Sequence, residues 1–299
     1  MKKIILAHIA LIFANLIYAI NFTLAKDIMP EYIMPSGFIL LRVSSAVFLF
    51  SIVYFLFIRE KIKKKDLVKL AVCGLFGVAV NQLFFFEGLN LTSPINASII
   101  MTTNPIIVLV ISFVFLKDKI TGYKLFGVLL GIFGAWNLIL NSNNMSFSSG
   151  SGLGDIFVLI NATSYGLYLV LVKPLMSKYN PITILFIVFS FGLIFVFPFG
   201  YNELSLVNWT EIPNNIWFEI GFVVLFTTFF AYLLNAFALK NVSPNTVSIY
   251  IYLQPVLASF FAIYWGADEL KEDKIIAALF IFAGVYLVSK ESEKRSKLS

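Results

Sequence analysis

The chain has 299 residues, of which 60% are hydrophobic and 13% are charged, and its formal net charge is +6. Soluble globular proteins carry about 25% charged residues, so most of this surface must face a medium other than water. The single cysteine, Cys73, and the single histidine, His8, exclude a disulfide framework and the usual cysteine- or histidine-based zinc centres. The composition predicts an all-α integral membrane protein, and we expect no metal or cofactor.

Ten apolar segments are long enough to cross a bilayer, which requires about 20 residues each. Short connections that contain Pro, Asn, Gly and Lys separate them. The longest connection, 141–154, is rich in Ser, Gly and Asn and lies near the midpoint of the chain. The predicted spans are 4–24, 35–58, 67–90, 94–116, 123–140, 154–173, 181–200, 215–239, 244–266 and 274–289.

The positive charges predict the orientation of these spans. If the N-terminus is cytoplasmic, 18 of the 22 Lys and Arg residues lie in cytoplasmic tails and loops. Only Lys26, Lys271 and Lys274 then lie outside, and Arg42 lies within a span. Because cytoplasmic loops are enriched in Lys and Arg, both termini are predicted to be cytoplasmic, in the cell (inner) membrane. This distribution also explains the net positive charge without nucleic-acid binding.

An internal repeat relates the two halves of the chain. Residues 81–140 match residues 231–290 at 11 of 60 positions, without a gap, at an offset of 150. The matches include Ser93-Pro94 with Ser243-Pro244, and Pro105 with Pro255. Five spans per repeat is an odd number, so the second copy must enter the membrane from the opposite side. The predicted fold is therefore ten transmembrane helices as two inverted five-helix repeats, 1–145 and 146–299.

Several short motifs recur in a characteristic order along the chain. They are Tyr18–Phe22 with Lys26, Arg42, Phe86–Pro94, Asn104-Pro105, Lys117-Asp118-Lys119, Gly127–Gly134, Tyr165-Gly166, Ala238–Pro244, Gln254-Pro255, Asp268-Glu269 and Gly284. Their order and spacing resemble the drug/metabolite transporter superfamily, and within it the EamA-like permeases. That family usually has Trp-Gly where Tyr18-Ala19 stands, and Gly-Glu where Lys117-Asp118 and Ala267-Asp268-Glu269 stand. The resemblance implies export or exchange of amino acids or related metabolites across the cytoplasmic membrane.

Two prolines predict interrupted helices near the middle of the membrane. Pro105 and Pro255 follow the amide residues Asn104 and Gln254 in the fourth and ninth spans. A proline inside a helix has no N–H to donate and clashes with the carbonyl four residues earlier. Matching interruptions in two halves are the best sequence indication of a transporter site, although a packing kink explains the same pattern.

Polar residues at helical spacing predict a cavity inside the bundle. Residues three, four or seven apart lie on one side of a helix, and polar groups in a membrane face the bundle interior. Interhelical hydrogen bonds are the structural alternative. The stripes predict a substrate pathway of Asn15, Tyr18 and Asn21 in the first span, Asn96, Thr103, Asn104 and Pro105 in the fourth, Asn161, Tyr165 and Tyr168 in the sixth, and Tyr250, Gln254 and Pro255 in the ninth.

Arg42 and Glu87 are the ionisable residues best placed within spans. A charge at the bilayer centre costs at least roughly 2.5–3.5 kcal/mol on insertion scales, which favours pairing of the two. Under a functional interpretation Glu87 carries a proton or Arg42 holds a substrate carboxylate. Under a structural interpretation they form an ion pair or reach water.

These features predict a secondary transporter that moves small solutes by alternating access. A channel, facilitator or receptor without active coupling is the alternative. The chain contains no GxxxxGK[ST] motif, no HExxH motif and no paired intramembrane aspartates, so we expect neither an ATPase nor an enzyme. The expected partners are a small-molecule substrate and the lipid bilayer, whereas the oligomeric state stays open.

Overall fold

A computed structural model describes residues 2–116, 122, 125–127, 129–131, 133–134, 151–272, 275–280, 282–284 and 286–287. Among these residues every regular element is helical, and eight helices are long and apolar enough to cross a membrane. They are α1 (Lys2–Ile28), α2 (Pro35–Ile58), α3 (Lys64–Leu91), α4 (Pro94–Phe115), α5 (Gly152–Met176), α6 (Pro181–Ser205), α7 (Asn214–Asn241) and α8 (Pro244–Tyr264).

Eight of the ten predicted spans are thereby confirmed as helices, with ends within about one turn of the predicted ones. The largest difference is at α6, which continues to Ser205, five residues into the predicted loop. The structure describes 8 of the 18 residues of the predicted span 123–140 and 11 of the 16 residues of the predicted span 274–289. Those residues of 275–284 that are described are helical.

Proline starts four of the helices because its backbone nitrogen has no hydrogen to donate, and the first turn of a helix needs none. For three of them, a side-chain oxygen of the residue before the proline accepts a hydrogen bond from a backbone N–H of the first turn. This bond replaces the partner that an N–H in the first turn lacks within the helix. These pairs are Ser93-Pro94 in α4, Asn180-Pro181 in α6 and Ser243-Pro244 in α8, and α2 starts at Pro35 without such a cap.

Five helices contain irregular turns: α2 ends in a π-helical segment at Tyr54–Ile58, and the other four have theirs at corresponding places in the two halves. The interruptions predicted beside Pro105 and Pro255 are confirmed, since α4 breaks at residues 102–103 and α8 narrows to a 3₁₀ turn at Tyr250–Tyr252. Wider π-helical segments occur in α3 at Leu75–Val80 and in α7 at Val223–Phe230. Such segments are frequent at functional sites.

Contacts between helix ends define two opposite faces of the bundle. At the first, the Lys26 face, the end of α1 contacts the end of α3, and the start of α2 contacts the end of α6. The start of α5 also lies there, because Asp155 accepts a hydrogen bond from Thr92. At the second, the Lys173 face, the end of α5 contacts the end of α7, and the end of α2 contacts the start of α6.

Helix packing produces three main pairs: α2 with α6, α1 with α7, and α3 with α5. Small residues permit the closest approach, as expected in a membrane, where helices associate by van der Waals packing. A Cβ added at Gly88 in α3 would lie 2.8 Å from the carbonyl oxygen of Gly154 in α5. Large apolar side chains such as Phe57, Phe199 and Phe218 cover the outer surface, which suits contact with lipid.

Candidate functional site

A polar cavity with about 640 Å³ of empty space lies at the centre of the bundle. The α1–α7 pair forms one wall and the α3–α5 pair the opposite wall, while α8 contributes three side chains and α2 and α4 contribute one each. The lining residues are Asn15, Tyr18, Asn21, Phe22, Arg42, Asn81, Gln82, Phe85, Phe86, Met101, Asn161, Tyr165, Thr227, Tyr232, Asn235, Val247, Ile251 and Gln254.

The structure brings seven of the fifteen sequence-predicted site residues to this cavity. The polar stripes of the first and sixth spans provide most of them, because consecutive members of a stripe lie on one side of a helix. An eighth, Tyr168, lines a smaller adjoining pocket that shares Tyr18 and Tyr165 with the cavity. The seven are Asn15, Tyr18, Asn21, Arg42, Asn161, Tyr165 and Gln254.

The predicted residues of α4 lie beside the cavity and not in its lining. The hydroxyl of Thr103 donates to the Ile100 carbonyl oxygen at 2.8 Å, which occupies a backbone acceptor at the break. The Asn104 amide donates to the carbonyl oxygen of Ala162 in α5 at 2.6 Å. Asn96 and Pro105 are likewise outside the lining. The Asn104 bond to α5 matches the structural alternative for the polar stripe, namely interhelical hydrogen bonding, whereas the Thr103 bond lies within α4.

The remaining predicted residues also lie elsewhere. Tyr250 contacts His8 near the Lys173 face, where its hydroxyl is 2.7 Å from the His8 Nδ1 atom. Pro255 is buried next to Gln254 but does not line the cavity. Glu87 accepts a hydrogen bond from the Ser36 hydroxyl at 2.7 Å. The expected pairing of Arg42 with Glu87 is therefore not formed.

Arg42 is the one charged side chain among the lining residues, and only 2% of its surface is exposed. Its Nε atom donates to the hydroxyl of Thr228 at 2.9 Å, and its guanidinium carbon lies 4.2 Å from the centre of the Phe86 ring. Its Nη1 atom is buried without a hydrogen-bond partner. Because a buried unpaired charge is costly, this atom marks a site suited to an anionic group.

The cavity lining also contains unpaired hydrogen-bond acceptors in addition to the unpaired Nη1 donor of Arg42. The side-chain oxygens of Asn21, Gln82, Asn161 and Thr227 are buried in the cavity lining without a partner. For Asn161 the amide orientation is set by its nitrogen, which donates to the Asn81 carbonyl oxygen at 2.6 Å. Buried polar groups in proteins are normally paired, so the lining is complementary to a solute with hydrogen-bond donors.

Other lining residues tie the two halves of the chain together. The Gln254 amide in α8 donates to the Asn15 side-chain oxygen in α1 at 2.7 Å. The Gln82 amide in α3 donates to the Tyr232 hydroxyl in α7 at 3.3 Å. Each bond joins one half of the chain to the other across or beside the cavity. A movement of one half relative to the other therefore also moves the walls of the cavity.

Sequence reasoning missed the polar residues that α3 and α7 supply to the cavity: Asn81, Gln82, Thr227, Tyr232 and Asn235. One feature of the sequence could have indicated two of these residues, because Gln82 and Tyr232 are related by the repeat offset of 150. The π-helical segments end at Val80 and Phe230, so Thr227 lies within the second segment and the other four residues follow a segment within five positions. Such π turns are not visible in hydropathy.

Membrane-crossing helices around a buried polar cavity define a multi-pass membrane protein of the transporter class. The chain belongs to the EamA-like transporter family, whose model matches residues 5–140 and 152–290.

Relatives of known sequence carry transporter names. An uncharacterized transporter of Archaeoglobus fulgidus is 27% identical over 292 residues, which cover 97% of this chain and 100% of the relative. The uncharacterized transporter YyaM of Bacillus subtilis is 27% identical over 289 residues, covering 94% and 93%. A solved crystal structure superposes with a TM-score of 0.64 at 15% identity and covers 98% of both chains, which establishes a shared fold.

Proposed function

We propose that the protein is a secondary transporter of small metabolites, amino acids or related compounds, which works by alternating access. The observation that carries the proposal is the central cavity, in which the buried Arg42 guanidinium has an unpaired Nη1 atom. A guanidinium holds a carboxylate through a pair of parallel hydrogen bonds. The unpaired oxygens of Asn21, Gln82 and Asn161 offer acceptors for an ammonium group of the same solute.

We further propose that the chain forms ten helices in two inverted repeats, 1–145 and 146–299. Two findings support this arrangement. Helix α4 starts at the Lys26 face and so runs toward the Lys173 face, whereas α5 starts again at the Lys26 face. The caps and irregular turns of α3–α4 also recur in α7–α8 at an offset close to 150. Inverted repeats are the usual basis of alternating access around a central site.

The Lys173 face is proposed to be cytoplasmic. The dense basic segment from Arg59 to Lys69, which comprises the loop between α2 and α3 and the start of α3, lies at this face, and Lys178 and Lys240 lie there as well. Among the described residues, the cations at the Lys26 face are Lys26 and Lys271. The positive-inside rule assigns the more basic face to the cytoplasm, with both termini on that side.

Counterflow in proteoliposomes tests the transport function. Vesicles containing the purified protein and loaded with unlabelled amino acids should take up the same labelled amino acids faster than empty vesicles. Amines that lack the carboxylate should compete poorly. Saturable, solute-specific counterflow would support a carrier, whereas non-saturable flux without counterflow would indicate a channel or facilitator. Binding without any flux would favour a receptor.

A further inference from the structure

Lys26, at the end of α1, bridges to the end of α3. Its half-buried ammonium group donates three hydrogen bonds, to the carbonyl oxygens of Leu89 at 2.9 Å, Asn90 at 2.8 Å and Thr92 at 2.6 Å. The last carbonyls of a helix have no partner within the helix, and the helix dipole favours a cation there. The bridge therefore satisfies several acceptors with one side chain.

Lys173, at the end of α5, makes the corresponding bridge at the opposite face. Its ammonium group donates to the carbonyl oxygens of Leu239 at 2.5 Å and Val242 at 2.7 Å, at the end of α7. Leu239 is separated from Leu89 by 150 residues, and Lys173 from Lys26 by 147. The two bridges are thus related by the internal repeat.

Each bridge joins the two walls of the cavity. Helix α1 packs mainly along α7 and α8, and α3 packs mainly along α5, so α1 and α3 have few other contacts with each other. Helices α5 and α7 likewise have few other contacts with each other. Lys26 therefore connects the α1–α7 wall to the α3–α5 wall at one face, and Lys173 connects the same two walls at the other.

From this geometry we infer that Lys26 and Lys173 are the gating residues of the transport cycle, and that each closes the cavity at its own face. Both bridges are formed in this structure, so neither gating residue is released. Opening toward one face requires release of the lysine at that face while the other stays bound. The inference rests on the alternating-access mechanism proposed above.

The stronger bridge is at the Lys26 face, where the ammonium has three carbonyl partners and a further contact closes the same region. The Asp268 carboxylate, which follows α8, accepts the N–H of Ile95 at the start of α4 at 3.2 Å. Loss of Lys26 therefore removes more hydrogen bonds than loss of Lys173. The larger change in accessibility is expected for Lys26→Gln.

Thiol labelling of the cavity from each face tests the inference. The reporter is the thiol introduced by Thr227→Cys, at a buried position of the cavity lining, in a Cys73→Ala background. A membrane-impermeant methanethiosulfonate is applied to vesicles of either orientation. Lys26→Gln should raise the labelling rate from the Lys26 face about tenfold or more, with little change from the other face. Lys173→Gln should do the reverse.

Matched controls are Lys271→Gln and Lys240→Gln, which remove exposed lysines near the Lys26 and Lys173 faces. Neither should change the labelling rate. Unchanged labelling in both bridge variants, or an equal increase from both faces, would overturn the inference. The two variants are independent, so Lys173→Gln decides the question if Lys26→Gln does not fold. Absence of counterflow by the unaltered protein would refute the proposed function, whereas the labelling assay tests the gates without a transported solute.

Discussion

Replacement of Arg42 is the sharpest test of the cavity as a solute site. In Arg42→Gln the side chain keeps a donor but loses the charge and the fork that suits a carboxylate. Hydrogen bonds to charged groups contribute about 1.5–3 kcal/mol each, so loss of one such contact with the solute weakens its binding by roughly 10- to 150-fold. The Michaelis constant for a carboxylate-bearing solute should rise by this factor.

The fold should tolerate the substitution. Arg42 donates one hydrogen bond to Thr228 and stacks on Phe86, contributions of about 2–5 kcal/mol together. Removing an uncompensated buried charge offsets this loss, so the melting temperature in detergent should change by only a few degrees.

Counterflow with paired solutes gives the decisive comparison. Arg42→Gln should slow the uptake of an amino acid at low concentration but should not slow the uptake of the matching amine any further. Thr228→Val is the matched control, because it removes the partner of the Arg42 Nε atom and leaves the charge in place. An unchanged Michaelis constant for the amino acid in Arg42→Gln would show that the guanidinium does not bind solute.

Three further substitutions test the packing and the coupling. Gly88→Leu should lower the melting temperature by several degrees, because a Cβ there meets the Gly154 carbonyl oxygen at 2.8 Å. Gln254→Leu should destabilise the protein by about 1–3 kcal/mol in unfolding titrations, since the Asn15 oxygen loses its donor. Glu87→Gln should leave counterflow and its pH dependence nearly unchanged, because Glu87 lies outside the cavity lining.

Two of these substitutions have a matched control, and two have a result that would contradict the prediction. Gly221→Leu serves for Gly88, because nothing lies within 4 Å of a Cβ added there, and equal melting temperatures for the two variants would contradict the close crossing. Asn241→Ala serves for Gln254, since the Asn241 amide bonds a carbonyl of its own helix. A Glu87→Gln transporter that no longer responds to pH would assign proton coupling to Glu87.

Hydropathy and residue type in the sequence were sufficient to predict the positions of the eight described membrane-crossing helices. An apolar stretch of about 20 residues must form internal backbone hydrogen bonds in lipid, so its position follows from local composition. The starts at Pro94, Pro181 and Pro244 and the interruptions beside Pro105 and Pro255 were predictable for the same reason, because a missing N–H acts locally. The polar stripes of α1 and α5 also indicated correctly which side of each helix faces the cavity.

The tertiary structure alone decided which of these polar faces meet. Helical periodicity places a side chain on one side of its helix, but the neighbour on that side comes from a distant part of the chain. Asn104 therefore bonds to α5 outside the cavity, and Arg42 bonds to Thr228 and not to Glu87. The bridges of Lys26 and Lys173 were invisible in the sequence for a related reason. Their acceptors are backbone carbonyls, which every residue carries and which only helix packing selects.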